Sequence, residues 1–374
     1  MTGKERLGDL RKQIDEIDGK LIALFQERMY IAKETGEIKG MNNLAITDEA
    51  REQQVVNRAE ALAGGDLKGE ASMFMRSVIA ISKEQQRKSL FPTDAPLLPP
   101  PRKPVRDRIV CAYRGVPGGW SEEALIKLFP EAGALQTDLT EDVFLAVKDK
   151  KAHYGIAAIE NSKTGAIGET YDLLRKYGCF IVGRTAVNIQ DCLLAREGVE
   201  LSDIREVYSH PYGFRDCANF LRGRAWDLNT CHNMDESART AAAEKSGRAA
   251  AIGSRRIAEL NGLQVLSPNI MNSDSNKTSF VVISPEPEYD ASDDLISVTF
   301  STQHRSGALC ETLLPFMAGG INLTRIESRP GGLDKYRFFA EIQGNILDGN
   351  TISVLRYAAA ASEYFEVIGC YSTT

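Results

Sequence analysis

Two cations share what must be one helical face near the start of this 374-residue chain. Apolar residues recur as Leu7, Leu10, Ile14, Ile17, Leu21 and Leu24, and the same three-four rhythm next reaches Arg28 and Ile31. A core-facing slot thereby falls to an arginine, which needs a partner carboxylate or an anionic ligand to offset its desolvation. Lys39 follows three turns later, about 20° round the helix, so it lies on the same face. Such a face suits a small dianion. Arg11 precedes Arg28 by about 25 Å of helix, so both can grip one small ligand only if Arg11 comes from a second copy of the chain. Downstream, Asp48 stands beside Arg51 and Glu52 at i+3 and i+4, and Ser82 beside Gln86 at i+4. Singly, charged sets of this kind are helix-surface ion pairs. Together, around an arginine in a core register, they describe a carboxylate-binding site.

The elements that must position these residues are helices. Residues 1–91 contain no proline and read as helical throughout. Gly40-Met41-Asn42-Asn43 breaks a first helix, Thr47 is the expected N-cap of a second, Gly64-Gly65 ends it, and a third runs from about Asp66 to Leu90. Three such helices cover their apolar stripes poorly alone, which favours an intertwined dimer. Six of the 14 prolines then fall between Phe91 and Asp107, giving a semi-rigid linker over 92–107.

From 108 to 284, short β-rich runs (Ile109–Tyr113, Tyr154–Ile159, Phe180–Val182, Val207–Ser209, Ala249–Ile252, Phe280–Ile283) alternate with helical ones. That predicts a two-lobed α/β domain with a mostly parallel sheet. Gly115–Ser121, Glu160–Gly165 and Ser209-His210-Pro211 are strand-to-helix turns able to present backbone N–H groups to an anion. A polar spacer, 285–294, precedes a last unit, 295–374, reading βαββαβ, the ferredoxin-like split arrangement. Gly307 opens its first helix and lets a ligand approach the helix N-terminus, whose N–H groups suit a carboxylate.

In type and order, Arg11, Arg28, Lys39, Asp48, Arg51, Glu52, Ser82 and Gln86 resemble the site of the all-helical chorismate mutase family. The resemblance implies that Arg11 (from the partner chain), Arg28 and Arg51 hold the carboxylates of chorismate. Lys39 and Gln86 would donate to its ether oxygen, and Glu52 with Asp48 would accept from the ring hydroxyl, Ser82 completing the site. A Claisen rearrangement needs no nucleophile or cofactor, only a held conformer and stabilised charge. Ile159-Glu160-Asn161-Ser162, Tyr208-Ser209-His210-Pro211, Leu260-Asn261-Gly262-Leu263 and Asn276–Phe280 resemble the prephenate dehydratase family, with a cleft between periplasmic-binding-protein-like lobes. It implies that Ser121, Glu160, Asn161, Ser162, Ser209 and His210 line the cleft and that Thr278 donates to, or positions a donor for, the leaving hydroxyl. The chain departs from that family's pattern at four places: Gly119-Trp120, Gly183-Arg184 in place of Val-Gly-Glu, Tyr212 in place of Gln, and Ser279 in place of the Arg in Thr-Arg-Phe. The C-terminal unit resembles the ACT regulatory domain through Gly307-Ala308-Leu309 and Glu327-Ser328-Arg329-Pro330, which implies phenylalanine at an interface between two copies.

Net charge is −6 with dispersed basic residues, which points away from nucleic acid and membrane surfaces. The first residues lack an apolar leader core, and seven single cysteines without metal-ligand spacing suggest a reducing cytoplasm with no metal and no cofactor. The expectation is therefore a cytoplasmic bifunctional chorismate mutase and prephenate dehydratase, homodimeric or larger, with chorismate and prephenate as substrates and L-phenylalanine as feedback ligand. A competing reading, motivated by Tyr212 and Ser279, makes the α/β domain a regulatory ligand-binding module fused to an active mutase. A second makes the whole chain an amino-acid sensor without catalysis.

Overall fold

The computed structural model describes residues 3–90, 96–273, 275–332 and 335–374; the first part of the expected linker, 92–95, and residues 1, 2 and 91 of the expected helical domain lie outside them. Three helices come first, α1 (Gly3–Met41), α2 (Glu49–Ala63) and α3 (Lys68–Leu90), with a 3-10 turn at Gly65–Leu67 ahead of the third. Asp48, not Thr47, caps α2: its carboxylate accepts from the backbone N–H of Arg51 at 3.0 Å. The non-helical backbone at Asp48 (φ −132°, ψ 90°) makes it the residue that flanks the helix and faces its first N–H groups.

The stripe that suggested a buried register is not buried within one chain. Leu7, Leu10, Ile14, Ile17, Leu21 and Leu24 are 45–63% exposed, whereas Arg28 is half-buried. Its guanidinium donates to the α3 groups Ser82 Oγ and the Val78 carbonyl oxygen. The rhythm correctly marks one apolar face, but the packing of α1 and α2 on α3 leaves most of that face to solvent.

The α/β segment contains strands β1 (Val110–Arg114), β2 (Gly133–Thr137), β3 (Tyr154–Asn161), β4 (Gly165–Ala166), β5 (Phe180–Asn188), β6 (Cys192–Arg196), β7 (Glu206–Ser209), β8 (Asp227–Thr230), β9 (Ala249–Gly253), β10 (Leu263–Ser267) and β11 (Lys277–Ser284). Among them lie helices α4 (Trp120–Leu128), α5 (Thr140–Lys148), α6 (Gly168–Tyr177), α7 (Pro211–Asp216), α8 (Ala218–Leu221), α9 (Met234–Ala243) and α10 (Arg255–Leu260). The C-terminal segment adds β12 (Leu295–Ser301), α11 (Ala308–Ala318), β13 (Leu323–Gly332), β14 (Lys335–Gln343), α12 (Gly349–Ala360) and β15 (Tyr364–Tyr371). Its βαββαβ order matches the expectation, and its strands line up as β13-β14-β12-β15.

Two sheets result. One runs β13-β14-β12-β15-β5-β11-β3-β1-β2 with β4 on β3; the other runs β10-β6-β9-β7-β8. They are mixed rather than mostly parallel: β1, β2 and β3 pair in parallel, but β11 is antiparallel to both β3 and β5, and β6 is antiparallel to β9 and β10. The chain crosses back to the first sheet at β11 after completing the second, and that return sets the antiparallel neighbours. Buried cores that include Val143, Phe144, Leu174 and Ile181 at the first sheet, and Leu193, Val207 and Ile252 at the second, hold the two sheets in place.

The chain divides into two compact units: Met1–Leu97 with Phe300–Gly320 and Ile352–Phe365, and Leu98–Thr299 with Ile321–Thr351 and Glu366–Thr374. From Leu98 onward the proline-rich stretch is docked rather than free. Leu98 is buried, Arg102 Nε pairs with Glu288 at 2.6 Å, and Tyr154 Oη donates to that same carboxylate at 3.0 Å.

Candidate functional site

In the helical segment, Arg28, Lys39, Asp48, Arg51, Glu52, Ser82 and Gln86 line one cavity of about 410 Å³. Arg28 and Lys39 come from α1, the next three from the first turn of α2 and its cap, and the last two from α3. Each element delivers its residues by helical spacing alone, since i and i+4 positions project on one side. The Arg28 guanidinium is held below the usual arginine range by burial. Lys39 Nζ donates to the carbonyl oxygen of Ile46, which also lines the cavity, at 2.7 Å. Arg11 does not line the cavity. Lys83 does, and it was missed: its ammonium pairs with Glu52 Oε2 at 3.0 Å, with only 9% of the lysine side chain exposed. The signal was available, because Lys83 falls beside Ser82 and three residues before Gln86. The cavity therefore holds four cations, Arg28, Lys39, Arg51 and Lys83, against the carboxylates of Asp48 and Glu52, the charge balance a dianion complements.

In the α/β segment the expected residues fall into two groups. Ser121, Ser209 and His210 line a cavity of about 550 Å³ together with Arg114, Trp120, Asp138, Asp191, Asp216 and His232. Ser121 stands in the first turn of α4, behind Gly119 at its N-cap. Ser209 ends β7, and His210 caps α7, its Nδ1 accepting from the Tyr212 N–H at 3.2 Å. The backbone comes closest at Gly213, where any side chain would collide with Ser209 Oγ.

Glu160, Asn161, Ser162 and Thr278 are not among the residues lining that cavity. Antiparallel register sets Asn161 opposite Thr278, and Asn161 Nδ2 donates to Thr278 Oγ1 at 2.9 Å and to Asn276 Oδ1 at 2.8 Å. Asn161 Oδ1 accepts from the N–H groups of Lys163 and Thr164, while Ser162 Oγ donates to the Ser275 carbonyl and accepts from the Lys277 N–H. These residues brace the turn after β3. Their link to the cavity runs through Asn276, whose carbonyl oxygen accepts from the N–H of cavity-lining Ile189 at 2.8 Å. Glu160 pairs with Arg325 and lies 3.7 Å from Arg184.

Asp191, which the sequence reading passed over, is the most perturbed group facing this cavity. The residue is 7% exposed, and its Oδ1 finds no hydrogen-bond partner among the described residues. Burial first, and then the like charge of Asp216, raise its pKa to about 6 against the opposing charge of Lys163. A single acid ahead of the apolar run Cys192-Leu193-Leu194-Ala195 was the one available hint.

The motifs expected to bind phenylalanine are placed as follows. Gly307 adopts φ 81° as the N-cap of α11, a left-handed conformation that favours glycine, and Ala308 behind it is buried. Leu309 is the second residue of that helix. Glu327, Ser328, Arg329 and Pro330 lie on β13, where Arg329 pairs with Asp172 at 2.8 Å and its guanidinium lies against Gly168.

Two family models match this chain: chorismate mutase type II over residues 10–87 and prephenate dehydratase over residues 111–288. A bifunctional chorismate mutase/prephenate dehydratase of Escherichia coli K12 is 31% identical, the match covering 99% of this chain and 97% of that protein. Among solved structures, prephenate dehydratase of Arthrobacter aurescens in complex with L-Phe is 27% identical with a TM-score of 0.64, covering 71% of this chain and 90% of that one. A structure described as a novel type of quorum quenching acylase is 26% identical with a TM-score of 0.65, covering 71% of this chain and 98% of that one.

Proposed function

The chain belongs to the bifunctional chorismate mutase/prephenate dehydratase family, and from that premise we propose how its residues divide two reactions. The enzyme rearranges chorismate to prephenate and then converts prephenate to phenylpyruvate by decarboxylative dehydration.

The convergence of seven expected residues on one 410 Å³ cavity carries the assignment of the first site. Arg28 and Arg51 take the two carboxylates of chorismate, with Arg11 arriving from a second copy. Lys39 and Gln86 donate to the ether oxygen as its C–O bond breaks, so they bind the transition state more tightly than the ground state. Ser82 fixes the Arg28 fork, and Glu52, with Asp48 at the helix cap, accepts from the ring hydroxyl; the Lys83 ammonium holds Glu52 in place. Loss of chorismate absorbance tests the assignment. It should fall about 100-fold or more for Lys39→Ala, the range seen when one charge-stabilising donor is removed; an unaltered rate would refute the site.

The second site is the 550 Å³ cavity, where Ser121, Ser209 and His210 face prephenate and Arg114 supplies the cation for a carboxylate. Glu160, Asn161, Ser162 and Thr278 support its wall through Asn276. The reading of this segment as a purely regulatory module loses one of its two motives, because Arg184 brings a guanidinium to within 3.3 Å of Ser279 Oγ, while Tyr212 still lines the cavity.

The segment from 295 to 374 acts as an ACT-type regulatory domain that binds L-phenylalanine at Gly307–Leu309 and Glu327–Pro330. Its βαββαβ order and strand sequence support this, as does the L-Phe held by the Arthrobacter relative. The exposed α1 stripe supports a homodimer, since covering it gains about 25 cal/mol per Å² of apolar surface. Seven free thiols support a reducing, cytoplasmic setting, and no helix of the described residues is long and apolar enough to cross a membrane.

A further inference from the structure

We propose that Asp191 is the general acid of the dehydratase reaction, giving its proton to the hydroxyl that leaves prephenate. The proposal rests on the reading of the 550 Å³ cavity as the prephenate site.

Three observations carry it. Asp191 lines the cavity together with Ser209, His210 and Ser121, the space the substrate would fill. It is almost fully buried, and Oδ1 has no hydrogen-bond partner among the described residues. Burial raises the cost of the ionised carboxylate in that position, and the neutral acid, the main form below about pH 6, retains an O–H to give. Asp216 faces the same cavity and adds a like charge.

The remaining charged groups around Asp191 do not cancel this. Lys163 pulls in the opposite direction but ranks below both burial and Asp216. Arg215 pairs with Asp216 at 3.1 Å on a side chain that is itself mostly exposed. Arg114, Asp138, His210 and His232 line the same cavity. Burial pushes the thiol of neighbouring Cys217 well above its ordinary range, so it stays neutral and cannot compete as the acid. Thr278 is the weaker candidate. Its hydroxyl accepts from Asn161 and is not among the groups lining the cavity, so it has less access to the leaving hydroxyl than Asp191.

The step balances without a co-reactant. The Asp191 carboxyl proton passes to the departing hydroxyl oxygen, which takes the C–O bonding pair and leaves as water. The bond from the ring to its carboxylate breaks, its electrons enter the ring, and carbon dioxide departs. Prephenate dianion plus one proton thus gives phenylpyruvate anion, carbon dioxide and water, and the Asp191 carboxylate recovers a proton from solvent.

The test uses the full chain with prephenate, following phenylpyruvate in alkali over pH 5 to 9, for the wild type and for Asp191→Asn, Asp216→Asn and Ser209→Ala. Asp191→Asn should lower kcat about 100- to 10,000-fold with little change in KM, and should erase the fall of kcat on the basic side. Asp216→Asn should move that basic limb to lower pH, because removal of a like charge makes Asp191 easier to ionise; a merely structural aspartate would not move it. A kcat for Asp191→Asn within about threefold of wild type, or an unmoved limb in Asp216→Asn, overturns the assignment. Ser209→Ala separates the two levels: a raised KM with a neutral Asp191→Asn sinks only the acid, whereas an unchanged KM sinks the cavity itself as the prephenate site.

Discussion

Arg184 Nη2 donates to Ser279 Oγ at 3.3 Å between the paired strands β5 and β11, while its Nη1 forms a bidentate pair with Glu341 at 2.6 and 2.7 Å. Two departures from the dehydratase pattern, an arginine gained at 184 and one lost at 279, therefore meet in space. The same face of the sheet keeps its cation and receives it from the neighbouring strand.

The exchange makes a stability prediction. Glu341 is buried, holding hydrogen bonds from Tyr371 and Thr324 besides the ion pair. Arg184→Ala leaves that carboxylate without its counter-charge and should cost about 3–5 kcal/mol in urea unfolding followed on the full chain. Ser279→Arg alone should also destabilise, by placing two guanidinium groups together, and the double change Arg184→Ala with Ser279→Arg should recover much of the loss. Additive effects in the double variant would show that the two positions do not interact.

Arg11 and Arg28 predict complementation. Each single alanine variant should lose most mutase activity, but mixed and exchanged chains should regain some, because one of the two sites in a heterodimer is then intact. No recovery, with exchange verified by native mass spectrometry, would refute a shared site.

The unusual acid predicts an inverse relation between stability and activity. The Asp191 pKa is raised from 3.8 to about 6 on folding. The folded state thus binds the proton more tightly than the unfolded state, so this group favours folding fully below about pH 4 and loses that contribution as pH rises through about 6. At pH 8 the residual burden is on the order of 3 kcal/mol, and Asp191→Asn should stabilise the chain there while hardly altering stability at pH 4. Equal effects at both pH values would contradict the raised pKa.

Gly307 predicts a selective loss of ligand. Gly307→Val forces a β-branched residue into φ 81° at the N-cap of α11. Calorimetric titration with L-phenylalanine should show at least a tenfold weaker affinity, while chorismate turnover without phenylalanine persists. Full affinity in the variant would remove this turn from the regulatory site.

What could be read in the sequence was what local geometry determines. The first three helices deliver Arg28, Lys39, Asp48, Arg51, Glu52, Ser82 and Gln86 by spacing alone, so their convergence was legible before any fold was known. Asp191 was not, because its chemistry depends on burial at a strand end and on Asp216, 25 residues further along the chain. The sheet direction was misread for a related reason: β11 returns to the first sheet after the second is complete, and no local pattern encodes that return. Leu7 to Leu24 announced an apolar face correctly, but periodicity cannot say whether one chain or two will cover it.

The most direct test of two separate active sites in one chain is to give purified wild-type and Lys39→Ala protein each substrate in turn, following chorismate loss and phenylpyruvate formation. The wild type should produce phenylpyruvate from either substrate, whereas Lys39→Ala should fail on chorismate and still convert prephenate at the wild-type rate. Absence of phenylpyruvate when the wild type is given prephenate would contradict the second site outright.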